Sequence, residues 1–537
     1  MDGNVKLRVA SVGIVLALST IIAGCGSSSA PSSAPSNSGS ITNNKLIIGY
    51  EADATSLDPG QVTDINSGQV LNQMYDTLVQ YNASGQLIPD LATSWSESSN
   101  HLRYTFTLRP GVRFSNGDPL TPQSVIYSFE RMLNPQNPGY KFGPYPFGEF
   151  FYGDIADVTA DGNNKVIFTL KQPEASFLQS LTVLTGAIVD PQVALKDGKT
   201  FSLHGAGTGP YMLSSWQRGQ QLILKPNPYY WGQKPALSKV VFVPIVQSSE
   251  RATDLESGTV NMVVNPAPVD LSQIRASGDV VQMQAGPHIW WIGMNLLNAP
   301  FSSVKVRQAL NYAINRSAIT KNILYGTGIP ADQPLAPDQM GYNPNVNPYH
   351  YNPSKAKQLL SEAGYPNGFS ATLLVPTSGS GMQNPVSMAT AIQGELAQIG
   401  VKIKIEQIDW GTFLNKIAQG AKASNLQMWE LSWMDSAVDP SLVLNPLLAS
   451  SSWPPGFNTG FYKDPRVDAL LQEAELTASN QQRAQLYQQA EALINHDAPW
   501  IFVDHAKAVV AYSPNVHGFK LNPTFPFYIN LRGVSMK

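Results

Sequence analysis

YTFTLRPGVRFSNGDPLTPQSVIYSFERML, residues 104–133, changes character part-way along, and that change sets the fold class. Tyr104, Phe106 and Leu108 alternate with Thr105 and Thr107, the two-residue period of a half-buried strand. With Arg103 in front, the alternation continues to Phe114 and reads as a pair of strands. From Leu120 onward the chain reads as a helix. Thr121 can cap it, and Pro122 suits the first turn, where no N–H is needed.

The same alternation of strand and helix extends in both directions. KLIIGY (45–50) is a short apolar strand, and residues 67–81 have helical spacing. GPYMLSSWQRGQQLILKPN (209–227) reads as a hairpin turning at Arg218 and Gly219, and KVVFVPI (239–245) as a further strand. A second block begins past residue 287. HIWWIGMN (288–295) is a strand and residues 302–315 a helix; residues 352–365 form another helix, with Asn352 as cap, Pro353 in the first turn and Gly364 at the stop. Residues 387–400 and 401–408 give helix, Gly400, strand, a unit typical of mixed or parallel sheets. Polar helices from Pro465 to His496 precede a last strand, WIFVDHAKAVVAY (500–512). No internal repeat of solenoid period occurs.

The length of 537 residues exceeds what one hydrophobic core supports, so more than one lobe is expected. Hydrophobic residues make up 43% and charged residues 14%, as in a globular exported protein. Thirty-five basic residues oppose 38 acidic ones, a formal charge of -3, which offers no general attraction for phosphate backbones and argues against nucleic acid as a partner. With 21 Tyr and 10 Trp there is aromatic surface to line a cleft.

The sole cysteine, Cys25, follows Lys6, Arg8 and an apolar run from Val9 to Ala23, the order of a secretory signal over 1–24. The run is too short for a membrane span, and no later window of that length is free of charge or Pro. IAGC resembles the lipobox of bacterial lipoproteins, with Ile22 where Leu is commoner, so Cys25 is expected to carry lipid. The stretch 25–44, rich in Ser, Pro and Gly, is expected to act as a flexible tether holding the folded body outside the cytoplasm, close to a membrane.

Catalytic and metal patterns are scarce. The seven His fall in no HxxxH or Cys/His pattern, so neither metal nor cofactor is expected. DGKT (197–200) imitates the tail of a phosphate-binding loop, but Val193 stands where its first Gly belongs. GAGTGP (205–210) has the wrong spacing for a dinucleotide turn and reads as a tight crossing between lobes. Asp435 and Asp439, in WMDSAVDP, would pair as hydrolytic carboxylates if helical; Pro440 and the preceding LQMWELSW favour a strand end and loop, where they accept backbone N–H bonds or line a ligand. Trp290 and Trp291 are adjacent on a strand and face opposite sides, so that one belongs to a core and the other is a candidate cleft floor. Trp410, Trp429 and Trp433 carry the same two readings.

Several blocks together resemble the family 5 bacterial extracellular solute-binding proteins, which include the oligopeptide-, dipeptide- and nickel-binding proteins of ABC importers. The blocks are residues 104–133, with Pro122, Gln123 and Ser124 replacing the usual Ala-Glu-Asp, together with GTGPYMLSSWQRGQQLILKPNPYYWG, FSSVKVRQALNYAINRSAI, KAKQLLSEAGYPNG and DAPWIFV. The resemblance runs from Lys45 to Lys537. It implies an α/β, three-lobed clamp of the periplasmic-binding-protein kind, with mixed sheets flanked by helices and a two-strand hinge near Gly286 and Val503. Lobe I would combine 45–75, 204–287 and 505–537; 76–203 would be inserted in it, and 288–504 would form the opposing lobe.

By the same resemblance the protein is a monomeric receptor that delivers a peptide or similar organic solute to an ABC permease. An exported sensor or chaperone-like lipoprotein of the same fold, or an extracytoplasmic hydrolase, is the alternative. The implied ligand-lining residues are Tyr50, Glu51 and Ala52, then Trp290, Trp291 and Asn295, and on the far side Trp410, Trp433, Met434, Asp435, Ser436 and Asp439. Where peptide-binding relatives place the Asp that holds the ligand's amino group, three residues after the loop Trp, this chain has Ser436. Dipeptide binders also use an Arg of the opposing lobe for the ligand carboxylate, and between Arg316 and Arg466 this chain has none.

Overall fold

The strand Trp500–Tyr512 runs 13 residues, buried almost throughout, and both halves of the main sheet are built on it. In the computed structural model, which describes residues 44–377, 382–419, 426–454 and 456–537, its first half pairs antiparallel with His288–Met294 and Gly328–Pro330. Its second half pairs with Val280–Ala285 and Met262–Val264. The first strands of each half lie end to end. Ala285 is opposite Lys507, Trp290 is opposite Asp504, and Gly286 and Pro287 bridge the gap. Cys25, the apolar leader and the Ser/Pro/Gly stretch lie outside the described residues.

From this axis the sheet extends both ways. On one side come Met262–Val264, Lys45–Tyr50, Lys239–Pro244, Gln221–Pro226 and Tyr211–Gln217; on the other come His288–Met294, Met428–Met434, Ser370–Pro376 and Lys402–Ile408. Pairing is mixed: Lys45–Tyr50 runs parallel to both its neighbours, as does Ser370–Pro376. Helices cover these strands on both faces, which is why KLIIGY and HIWWIGM are nearly continuous apolar runs rather than alternating ones. Among the described residues, no helix is long and apolar enough to cross a membrane.

A separate four-stranded antiparallel sheet, ordered Ala92–Glu97, Arg103–Leu108, Lys165–Leu170 and Ile155–Asp161, contains the alternating stretch. Tyr104, Phe106 and Leu108 point into its core and Thr105 and Thr107 do not. The expected second strand is absent. Beyond Leu108 only an isolated bridge, Arg113 to Pro119, forms, because Pro110 has no N–H for a ladder and Gly111 turns the chain at φ +75. The helix follows as Pro122–Leu133, with a reciprocal capping box between Thr121 and Ser124. Phe129 on its inner face meets Phe168 edge-on at 4.9 Å. Arg131 reaches from the same helix to Asp58 in a bidentate pair of 2.9 and 2.6 Å, both partners fully buried.

The helix expected over 67–81 is shorter, Ile65–Met74. Residues 205–210 cross tightly over its C-terminal end: Gly209 N–H donates to Met74 O at 3.0 Å, and a Cβ on Gly207 would lie 2.2 Å from that oxygen. Only glycine allows so close an approach. Freed from the helix, Val79–Tyr81 pairs as a strand with Leu87–Pro89.

Candidate functional site

Stretches that lie far apart in the chain converge on one cavity of about 360 Å³. The start of the helix Ile65–Met74 brings Val62 and Ile65; the aromatic turn around the short helix Gly148–Tyr152 brings Phe147 and Phe151; Val183 and Leu184 follow. Facing them are Trp433 and Met434 at the end of Met428–Met434, Trp410 and Leu414 on the helix Trp410–Ala418, and Phe457. Tyr528 closes the wall from the C-terminal segment. Polar groups are few. Thr63, Thr185, Ser432, Ser436 and Thr459 line the chamber, with Asp64 and His288 beside the Tyr528 phenol as its ionisable side chains, and no Lys or Arg among the described lining residues.

Aromatic contacts lock the two walls together. Phe150 meets Trp433 at 6.1 Å and Phe457 at 5.6 Å, and Phe147 meets Phe457 at 6.2 Å. Trp433 is fixed in turn, because its Nε1 donates to Leu442 O at 3.0 Å. Trp410 stacks on the buried ring of Phe413 at 5.5 Å. Rings held in this way present flat apolar surface without losing rotamer freedom on binding.

Of the residues named from sequence, Trp410, Trp433, Met434 and Ser436 come together at this chamber; the others sit elsewhere. Tyr50 is buried in the core, edge-on to Phe242, with its hydroxyl donating to Asp53 at 3.1 Å. Glu51 accepts a short hydrogen bond from Asn265 Nδ2 at a separate small cavity, where burial raises its pKa, and Ala52 is exposed. Trp290 and Trp291 do face opposite sides, but each enters a core. Trp290 packs with Ile292, while Trp291 stacks on Trp500 at 4.3 Å. Asn295 lies past the other end of that strand, roughly 20 Å from His288 at the strand's rise, and ties Leu426 to Leu297.

Asp435 and Asp439 do not pair as catalytic carboxylates; both turn away from the chamber and build the loop that presents Ser436. Asp439 takes a bidentate pair from Arg483 at 2.9 and 2.7 Å and caps Ser441, all buried. Asp435 accepts from Gln339 Nε2 at 3.0 Å, and burial, with Asp439 nearby, lifts its carboxyl well above the usual range. Between them Val438 adopts φ +58, a strained value for a β-branched residue that these two anchors hold in place. The residues missed from sequence are Phe147, Phe151, Leu184, Phe457 and Tyr528. The aromatic density of YPFGEFFYG (145–153) was the available signal, since clustered rings offer flat apolar surface beyond what one core needs.

A mostly apolar chamber with a few orienting polar groups, walled by stretches that lie far apart in the chain, has the form of a pocket for a small organic molecule. Residues 86–455 match the family described as bacterial extracellular solute-binding proteins, family 5 Middle. A glutathione-binding protein of Pectobacterium atrosepticum is 33% identical over 482 residues, covering 89% of this chain and 91% of that one. Heme-binding protein A of Haemophilus influenzae is 32% identical over 532 residues, covering 95% and 96%. An ABC transporter-associated periplasmic binding protein from Helicobacter pylori, solved in complex with the peptide STSA, has a TM-score of 0.81 at 32% identity over 92% of this chain and 98% of that one. The chain belongs to the bacterial extracellular solute-binding proteins of family 5. It is a substrate-binding protein and not an enzyme.

Proposed function

We propose that the protein captures a short apolar peptide or a similar organic solute and hands it to the membrane subunits of an ABC importer. The observation that carries this reading is the chamber of about 360 Å³, within the roughly 300–1,000 Å³ range of small-molecule sites and walled mainly by Trp, Phe, Leu, Ile and Val. Residues 45–75, 204–287 and 505–537 act as one lobe, 76–203 as an insertion and 288–504 as the opposing lobe, so the chamber opens when the opposing lobe swings about the strands at 285–288 and 503–507. The names of the relatives, which bind glutathione, heme and peptides, support an organic solute of that size range.

Cys25 serves as the lipid attachment point and 25–44 as the tether, which keeps a monomeric receptor on the extracytoplasmic face near its permease. Cys25→Ala is expected to shift the protein from the membrane pellet to the soluble fraction. Native mass spectrometry of the delipidated protein tests the main reading. A retained organic molecule, with loss of compaction in X-ray scattering once it is stripped, is the expected result; a protein that stays equally compact with and without its guest counts against the clamp.

A further inference from the structure

The chamber adjoins a second cavity. Val183, Leu184, Ser436 and Tyr528 line both, and the second, of about 110 Å³, is otherwise mostly polar, with Asn72, Thr77, Gln80 and Asn530 in its walls. One cation stands there. Arg532, from the C-terminal segment, is the sole Lys or Arg lining either cavity among the described residues.

Arg532 is held from behind. Its Nη2 donates to Asp76 Oδ1 and its Nε to Tyr230 OH at 3.1 Å, while Nη1 is engaged by neither partner. Asp76 is fully covered, its other oxygen accepting from Thr208 at 2.8 Å and Trp231 at 2.9 Å. Both residues line the cavity, and with the Asp76 side chain 0% exposed and that of Arg532 29%, the guanidinium is the more accessible member of the pair. Asp90, also in the wall, accepts from Thr77 N at 3.2 Å and Gln80 Nε2 at 3.1 Å. Burial first, then Asp76, lift its carboxyl to about 8 against the pull of Arg532 and Arg109, which favours the neutral form that does not oppose an anion.

We infer that Arg532 anchors a carboxylate of the bound solute while the solute's apolar body fills the chamber between Trp433 and Phe151. This rests on the solute-capture reading above and narrows the guest to an amphipathic acid. The stretch from Arg316 to Arg466 holds no arginine, and here the cation comes from the far end of the chain. A guanidinium held through Nε and Nη2 is already oriented, so little freedom is lost when a carboxylate meets its Nη1 side.

The test offers two pools of short apolar peptides, one with free C-terminal carboxylates and one with carboxamides, to the intact, ligand-stripped protein at pH 7 and pH 9. Native mass spectrometry reads what is retained. The carboxylate pool is expected to be favoured about tenfold or more at pH 7, as for a hydrogen bond to a charged group. The preference should shrink at pH 9, where Asp90 ionises, and persist there in Asp90→Asn. Arg532→Gln should lose it; since that change strands Asp76, the double variant Asp76→Asn with Arg532→Gln carries the same expectation in a neutral pair. Equal retention of both pools by the unmodified protein overturns the Arg532 anchor and leaves solute capture standing. Retention of neither pool overturns the short apolar peptide as the guest, and with it this inference.

Discussion

Asp439 shows how far a residue's role depends on its partner. Its four contacts, two from Arg483 and two from Ser441, make it a buried ion pair with a capping function, and removing the carboxylate strands a guanidinium with no water to replace it. Asp439→Ala is therefore expected to cost about 3–5 kcal/mol in urea unfolding. Nearby, burial and then the charge of Glu475 hold Glu174 up at about 8, and burial and then Asp439 hold Glu475 at about 7, against 4.5 for an ordinary Glu; Asp154 adds to both, and Arg483 opposes the rise at Glu475. The folded state thus binds these protons more tightly than the unfolded chain. Their contribution to stability is complete below about pH 4.5 and is lost as the pH climbs through 7 to 8. Unfolding free energy should fall between pH 5 and pH 8, and Glu174→Gln with Glu475→Gln should flatten that slope; an unchanged slope contradicts the assignment.

At the scale of elements, local signals were read well where a residue's neighbours in sequence are also its neighbours in space. The strand at 103–108 and the helix Pro122–Leu133 follow from period and cap, as do Asn352 accepting from Lys355 N at 2.9 Å and Gly364 turning at φ +89. Asn352→Ala is expected to cost about 1 kcal/mol, measured by thermal unfolding. Helical spacing misled at 75–81 because the glycine crossing from 205–210, more than a hundred residues away, ends the helix at Met74. A methyl group at Gly207 has backbone on its path, so Gly207→Ala should destabilise by about 1–3 kcal/mol, more than an ordinary surface change.

For the whole molecule, the inserted stretch meets the far wall through ring contacts, backbone hydrogen bonds and the packing of Ala437 and Leu442 into its core. Phe150 sits against Trp433 and Phe457, Tyr81 OH donates to Ala437 O at 2.7 Å, and Ala175 N donates to Glu475 O at 3.2 Å. Such contacts stabilise a closed clamp modestly and leave the energy of closure to the guest. Phe150→Ala is expected to weaken retention of a bound solute about tenfold or more while unfolding temperature changes little, as the half-buried ring sits at the edge of the core rather than in it. A large loss of stability with unchanged retention would mean that the ring serves folding alone.

The sequence by itself determined the α/β class, most strands and caps, and the family, because period, capping and ordered blocks are properties of neighbouring residues. By family resemblance it also named Trp410, Trp433, Met434 and Ser436, which line the chamber. Only the tertiary structure decided that Trp290 and Trp291 are core, that Asp435 answers Gln339 and Asp439 answers Arg483, and that Phe151, Phe457, Tyr528 and Arg532 face the cavities. Each of those outcomes is fixed by residues tens to hundreds of positions away, and which side of a buried strand meets a core or a cleft is set by what packs against it, which no local pattern records.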